Sequence, residues 1–505
     1  MLYRSTRGGE AGVSFEAATL AGYAADGGLY VPEQIPTVSP ETLRRWRGLS
    51  FQALSVEVLS LFVGECIGAA ELRGVVERSF ERFTEPDVVP VVEVGGLHIA
   101  ELFHGPTLAF KDFGQQVLCK LLDFFATRAG RPTTLVVSTT GDTGPACIHG
   151  ALGSASLRVV VTYPQGQISE IQRRQMTTVD APNVAVAAFQ GSGDDMDAPI
   201  KRISSDSAFR EAFGVTSVNS INIGRVTVQT IHYFWAYLRA IEQLEGGGGG
   251  GGFGFGDALH FAIPTGAMGN VTAGALAQRM GCPIAQLCCG VNANNILHRA
   301  VTSGEFHKRP MVRTLSEAIN IGVPYNFERI LYFLTGGDCG AVAAMMAEVD
   351  GSDALTIEGP LLAKLQQLLV TTTVDDEAMA ATTRAYWDAH AYLLDPHSAV
   401  CVAAAEALAG EHKCVCLATA HPCKFEESLQ AAEMGEGFWR GATSLAETEH
   451  MPPSAAALRG LPEVGKPDFL ALDGGRAPLE ESQAAWEQQL RGMVAEMARD
   501  GSARL

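Results

Sequence analysis

Apolar positions along this chain change rhythm near residue 95. Over 51–63 and 69–83 they recur three and four residues apart, the spacing that gathers them on one helix face. Ahead of them, Asp26-Gly27-Gly28-Leu29-Tyr30-Val31-Pro32 is a turn feeding a short extended piece. Further on, short apolar runs alternate with helical stretches. Residues 97–103, 134–138, 157–163, 184–189, 259–263, 284–289 and 413–418 read as strands, and 113–128 and 270–280 as helices. An amphipathic helix runs from the 219–225 segment to about Leu238. Such alternation predicts parallel sheets covered by helices, an α/β fold. The first ~95 residues form a mainly helical unit of their own. The tail from Thr443 is richer in Pro, Glu and Ala and ends in a surface helix over 479–497.

At 505 residues the chain exceeds what one simple core organises, so two or three domains are expected. The tract Gly246 to Gly252 cannot pack a core and reads as a flexible surface insertion. A formal charge of −19 argues against nucleic-acid binding, so an anionic ligand must be caught by local donors. No apolar stretch is long enough to span a bilayer. The start, Met1-Leu2-Tyr3-Arg4-Ser5-Thr6-Arg7, lacks the apolar core of a signal peptide. The eleven cysteines show no disulfide spacing, which points to a reducing, cytoplasmic setting and leaves an organelle open. Cys414, Cys416, His421 and Cys423 sit where metal ligands could. Yet Cys414 and Cys416 alternate within an apolar strand, and no tetrahedral set is completed, so no metal is expected.

Five separated segments carry chemistry. Lys111 closes His104-Gly105-Pro106-Thr107-Leu108-Ala109-Phe110-Lys111 just before a helix. A partly buried lysine loses its proton more readily and can form an imine with a carbonyl. Pro264-Thr265-Gly266-Ala267-Met268-Gly269-Asn270 joins a strand to a helix, and its glycines and free amides suit a phosphate. Ser138-Thr139-Thr140-Gly141-Asp142-Thr143-Gly144 offers hydroxyls and amides suited to a carboxylate, although Thr140 or Asp142 could simply cap the helix. Thr419 ends the last strand, where a hydroxyl could face a pyridine nitrogen. Asn219, Ser220, Asn222 and Arg225 cluster at a helix start; the first two could be caps, and Arg225 could be a surface charge or reach a phosphate.

Taken together, these segments resemble the threonine synthase family, pyridoxal-phosphate enzymes of fold type II. The resemblance also rests on Val218-Asn219-Ser220-Ile221-Asn222, Gly322-Val323-Pro324-Tyr325-Asn326-Phe327-Glu328-Arg329, Asp395-Pro396-His397-Ser398-Ala399-Val400 and Ala418-Thr419-Ala420-His421-Pro422. Several such runs in order are far more specific than any one alone. The N-terminal extension resembles that of the longer members.

The resemblance implies two open α/β sheet domains, tryptophan synthase β-like, behind a mainly helical N-terminal domain over 1–95. The larger, cofactor-binding domain would take 96–129 and 226–440, and the smaller, substrate-binding one 130–225. A C-terminal extension, 441–505, would pack on the larger. It further implies that Lys111 bonds the cofactor and moves protons, that Gly266, Ala267, Met268, Gly269 and Asn270 grip its phosphate, and that Thr419 meets its ring nitrogen. Asp142 would lie beside the cofactor's phenolic oxygen, where an ionised carboxylate would repel it. Ser138, Thr139, Thr143, Asn219, Ser220, Asn222 and Arg225 would meet the substrate. Related phosphate loops often carry other side chains where Ala267 and Met268 stand, but the backbone donors are unaffected. Gln167 is neutral where the family often has a basic residue.

The implied activity is conversion of O-phospho-L-homoserine and water to L-threonine and phosphate, by a monomer or homodimer without nucleic-acid or membrane partners. One rival is a phospholyase on the same scaffold, which releases 2-oxobutyrate, ammonia and phosphate. Another is a non-catalytic cofactor-binding protein, which would absorb like the enzyme but turn nothing over.

Overall fold

Parallel strands in two sheets carry the loops that matter. The computed structural model describes residues 1–246, 253–410, 412–464, 468–469 and 477–502. Its larger sheet has six strands in the order Leu369–Thr373, Ile284–Val291, Leu259–Pro264, Cys414–Ala418, Leu97–Glu101 and Val91–Val94. All neighbours are parallel except the last pair. A smaller sheet is wholly parallel, in the order Asp468–Phe469, Val184–Phe189, Leu157–Pro164, Thr133–Ser138 and Val215–Thr216. The predicted strands are all present. Leu369–Thr373, with alternating burial and no clean turn before it, was not foreseen.

The N-terminal unit contains the two expected helices, Phe51–Val63 and Ala69–Phe80. Ser50 starts the first by accepting the Ala53 amide, and Gly64 at φ 58° ends it. The unit also holds a small antiparallel sheet, in which Leu2–Ser5 lies between Val13–Ser14 and Tyr30–Pro32. Phe51 packs edge-on to Trp235, with ring centroids 5.4 Å apart, and so joins this unit to the central helix Ile223–Gly246.

That central helix departs from the amphipathic expectation. Every residue from Ile223 to Leu238 is buried, the polar Arg225, Gln229 and His232 included. It runs between the N-terminal helices, the helix Lys111–Ala129 and the helix Gly269–Met280, so no face of 223–238 is left to water. Its last residue is Gly246; the remainder of the polyglycine tract lies outside the described residues.

The C-terminal segment divides between the two sheets instead of packing on the larger one alone. Leu445, Met451 and Ala455 join a core with Ala380 and Leu429. The helix Leu479–Ser502 lays Trp486, Leu490 and Val494 over Val136, Val160 and Phe189 of the smaller sheet. The reason is its apolar stripe, spaced four residues apart, which covers an otherwise open sheet face.

Candidate active site

Three adjacent parallel strands of the larger sheet end at one edge. Leu97–Glu101 leads to the Lys111 loop, Cys414–Ala418 to Thr419, and Leu259–Pro264 to the 264–270 loop. Ligands in open α/β sheets bind beyond such strand ends. Backbone bonds stitch the first two loops together: the Phe110 amide donates to the Thr419 carbonyl at 2.8 Å, and the His421 amide to the Leu108 carbonyl at 3.0 Å. Asp112 shapes the lysine loop by accepting from the Thr107 amide and hydroxyl at 2.9 and 2.8 Å.

The result is a cavity into which Lys111, Asp142, Ser220, Arg225, Gly266, Ala267, Met268, Gly269, Asn270 and Thr419 all open. Lys111 starts its helix, half-buried, with Nζ 4.6 Å from the Phe110 ring centroid. Burial first, and then the nearby Arg225 guanidinium, push its amine down to about 8, while Asp142 pulls the other way. A nucleophilic amine gains from that shift, because the free base is the reactive form.

The 264–270 loop has the shape of a cradle. Met268 adopts a left-handed backbone, φ 61°, immediately before the helix Gly269–Met280. A Cβ on Gly266 would lie 2.9 Å from the Ile319 Cα, and one on Gly269 would lie 2.7 Å from the Ser220 Cβ. Polar atoms are waiting around this cradle. The Arg225 Nε, the Asn270 Nδ2 and both amide atoms of Gln229 are buried without a hydrogen-bond partner. Burying such groups unpaired costs about 1–3 kcal/mol each, a cost that a bound polar ligand removes. These residues therefore fit a phosphate-bearing cofactor with a carbonyl for Lys111, as pyridoxal phosphate is.

Asp142 occupies the cap position of the helix Thr143–Ala151, but its side chain caps nothing. Its Oδ1 accepts instead from Lys424 Nζ at 2.6 Å and Gln172 Nε2 at 2.9 Å. Burial by itself would raise this carboxyl; the Lys424 ammonium and the Gln172 bond outweigh it and hold the pKa below the usual range. The carboxylate is ionised yet already neutralised, which removes the repulsion foreseen beside a phenolate oxygen.

The remaining sequence-chosen residues are less uniform. Thr139 is buried and its hydroxyl accepts from the Gly141 amide, fixing the loop. Ser138 ends its strand, and its carbonyl faces Asn219 Nδ2 at 3.5 Å. Thr143 opens its helix. Asn222 stands apart from the cavity: Nδ2 donates to the Thr19 and Ser217 carbonyls at 2.7 and 3.0 Å, and Oδ1 accepts from the Gly224 amide. It ties the helix start to the N-terminal unit.

Lys424, Gln229 and His397 were not singled out from sequence. Gln229 and His397 line the cavity. His397 lies 2.8 Å from Asp395 through Nδ1 and accepts from the Ala318 amide through Nε2 at 3.1 Å, which assigns its tautomer. Gln229 had one available clue, its position one helical turn after Arg225.

The cradle is braced from behind. Asn326 Nδ2 donates to the Ala267 carbonyl at 3.0 Å, and Arg329 reaches the carbonyls of Ser220, Ile221 and Tyr30. Arg7 meets Glu328 at 3.0 Å, so the first residues of the chain bear on the same helix, Phe327–Leu334.

This architecture, two open α/β sheets with the site at the strand ends, is that of fold type II. A solved structure described as PLP-bound threonine synthase from Brucella melitensis superposes with a TM-score of 0.84 and 33% identity, over 97% of this chain and 99% of that one. A family model described as "Threonine synthase N terminus" matches residues 2–80, and "Threonine synthase, C-terminal" matches residues 398–464. Threonine synthase-like 2 from Rattus norvegicus is 40% identical over 86% of this chain and 89% of its own length. Threonine synthase from Pseudomonas aeruginosa is 36% identical over 86% and 91%. The chain belongs to the threonine synthase family.

Proposed function

We propose that this protein is a pyridoxal-phosphate enzyme converting O-phospho-L-homoserine and water to L-threonine and phosphate. The observation that carries the reading is one cavity uniting the depressed amine of Lys111, the glycine-walled loop and Thr419. The Gly266 to Asn270 amides would hold the cofactor phosphate, Thr419 would meet the ring nitrogen, and Lys111 would be the amine that takes up the aldehyde. When bound, the cofactor supplies an electron sink for charge developing on the substrate carbons. Lys111 Nζ would take the α-proton, and a second proton leaves the β-carbon. Phosphate departs from the γ-carbon, a proton returns there, water gives its hydroxyl to the β-carbon, and a proton returns to the α-carbon. The amide-rich start of the helix Thr143–Ala151, with Ser138 and Thr139 before it, positions the substrate carboxylate. The Asp142–Lys424 pair adds no net charge beside the reacting centre.

A second reading, the phospholyase, draws on one observation: the relatives at 38–40% identity include proteins named threonine synthase-like rather than threonine synthase. The same residues serve both outcomes, which diverge only at water addition. Incubation of the purified holoenzyme with O-phospho-L-homoserine decides. Threonine with an equal amount of phosphate supports the synthase; 2-oxobutyrate and ammonia in place of threonine support the lyase.

A further inference from the structure

A second cavity, of about 310 Å³, is lined by residues adjacent in sequence to those of the cofactor cavity. Thr140, Gln167, Ser192 and Gly193, from the loops of the smaller sheet, line it together with Arg313 and Glu317. The two cavities are neighbours by construction. Asp142 lines the first and Thr140 the second, a separation of two residues that the backbone spans in at most about 7 Å. Glu317, which lines the second, likewise precedes Ala318 and Ile319, which line the first. A phosphorylated amino acid with its amine at Lys111 carries its phosphorus four bonds from the α-carbon, about 5 Å away. That reach is comparable with the two-residue spacing between the linings, so the second cavity lies within range of the phosphate.

A dianion there needs a cation. Lys424 already serves Asp142 and the Thr107 carbonyl. Arg225 lines the first cavity, fully buried, donating to the Val218 carbonyl at 3.1 Å. Gln167 is uncharged and spends its Nε2 on the Gly191 carbonyl at 2.8 Å. Among the described residues lining this second cavity, Arg313 alone is cationic. Its side chain is 65% exposed, and its contact to Glu317, 3.4 Å, is long. Glu317 holds it weakly near neutral pH, because burial, opposed by Arg313 and aided by Glu427, pushes that carboxyl up to about 7.

We propose that Arg313 receives the phosphate of the substrate in this second cavity, which Thr140 and Ser192 also line. The proposal rests on the reading of a phosphorylated amino-acid substrate given above. It sorts the two phosphates by cavity, the cofactor's near Arg225 and the substrate's at Arg313.

The test uses the holoenzyme. Arg313→Met raises KM for O-phospho-L-homoserine about ten- to hundredfold, with the loss falling mainly on KM. It raises the inhibition constant of inorganic phosphate by a similar factor. Arg313→Lys recovers part of both, since charge remains but the paired donors do not. Unchanged KM and unchanged phosphate inhibition in Arg313→Met, in a background where the parent enzyme forms threonine, overturn the proposal. If the parent forms no threonine, titration with inorganic phosphate followed by cofactor absorbance separates the two ideas. Weaker phosphate binding in Arg313→Met then keeps the subsite while the synthase reading falls, and equal binding removes the subsite as well.

Discussion

Lys424 Nζ and Asp142 Oδ1 lie 2.6 Å apart with both side chains sealed from solvent, and the two residues are 282 positions apart in sequence. Lys424 also holds the Thr107 carbonyl at 2.9 Å, and Gln175 donates to that same carbonyl. One ammonium thus joins the loop that starts the Lys111 helix to the loop that caps the smaller sheet. Removing one member of a buried pair strands the other charge. Lys424→Met is expected to cost about 3–5 kcal/mol of unfolding free energy. Asp142→Asn with Lys424→Met should recover much of it. Urea denaturation of the two single variants and the double variant gives the coupling.

Lys111→Ala should remove both covalent cofactor attachment and turnover. Absorption spectra taken after dialysis check the first independently of the second. A variant that keeps the parent's visible band and rate would contradict the assignment of this amine.

The depressed amine has a pH signature. An amine at about 8 is roughly one-tenth neutral at pH 7, against well under a thousandth at 10.5. The rate at which apoprotein captures pyridoxal phosphate should therefore climb as pH rises toward 8 and level off above it. Asp142 pulls the amine upward, so Asp142→Asn should move the midpoint lower. Stopped-flow absorbance across pH 6–10 measures both; a parent midpoint near 10.5 contradicts the expectation.

The two loop glycines should fail differently. A Cβ at Gly269 meets the Ser220 Cβ at 2.7 Å, a side-chain clash, whereas one at Gly266 meets the Ile319 Cα at 2.9 Å. Both alanine variants should weaken cofactor binding by tenfold or more, about 1.4 kcal/mol. Adding Ser220→Gly should rescue Gly269→Ala. Shrinking Ile319 should not rescue Gly266→Ala, because the obstacle there is main chain. Dissociation constants from cofactor fluorescence distinguish the cases.

Local pattern reached the elements whose causes are local. The helix Phe51–Val63 has its own cap, apolar face and terminating glycine, and its bounds follow directly. The Gly266 to Asn270 loop was legible as a glycine-rich turn between a strand and a helix, because its glycines and the apolar run before it are local signals. Lys424 could not be read so: its meaning lies in a carboxylate reached only through the fold. Asn222 shows the reverse, since a polar residue beside a site segment proved to serve the backbone around it. The buried faces of Arg225, Gln229 and His232 were hidden for a similar reason. Helical periodicity records which positions are apolar, and it says nothing of polar groups recruited inward by a cavity.

Because Tyr30, Arg7 and Thr6 bear on the helix that steadies the Ala267 carbonyl, the amino-terminal unit is a buttress of the cofactor seat rather than an appendage. A fragment trimmed to the two large sheets would lose vitamin B6 affinity before it lost its strands. Grafting a foreign leader module onto those sheets would require transplanting the Glu328 and Arg329 contacts with it.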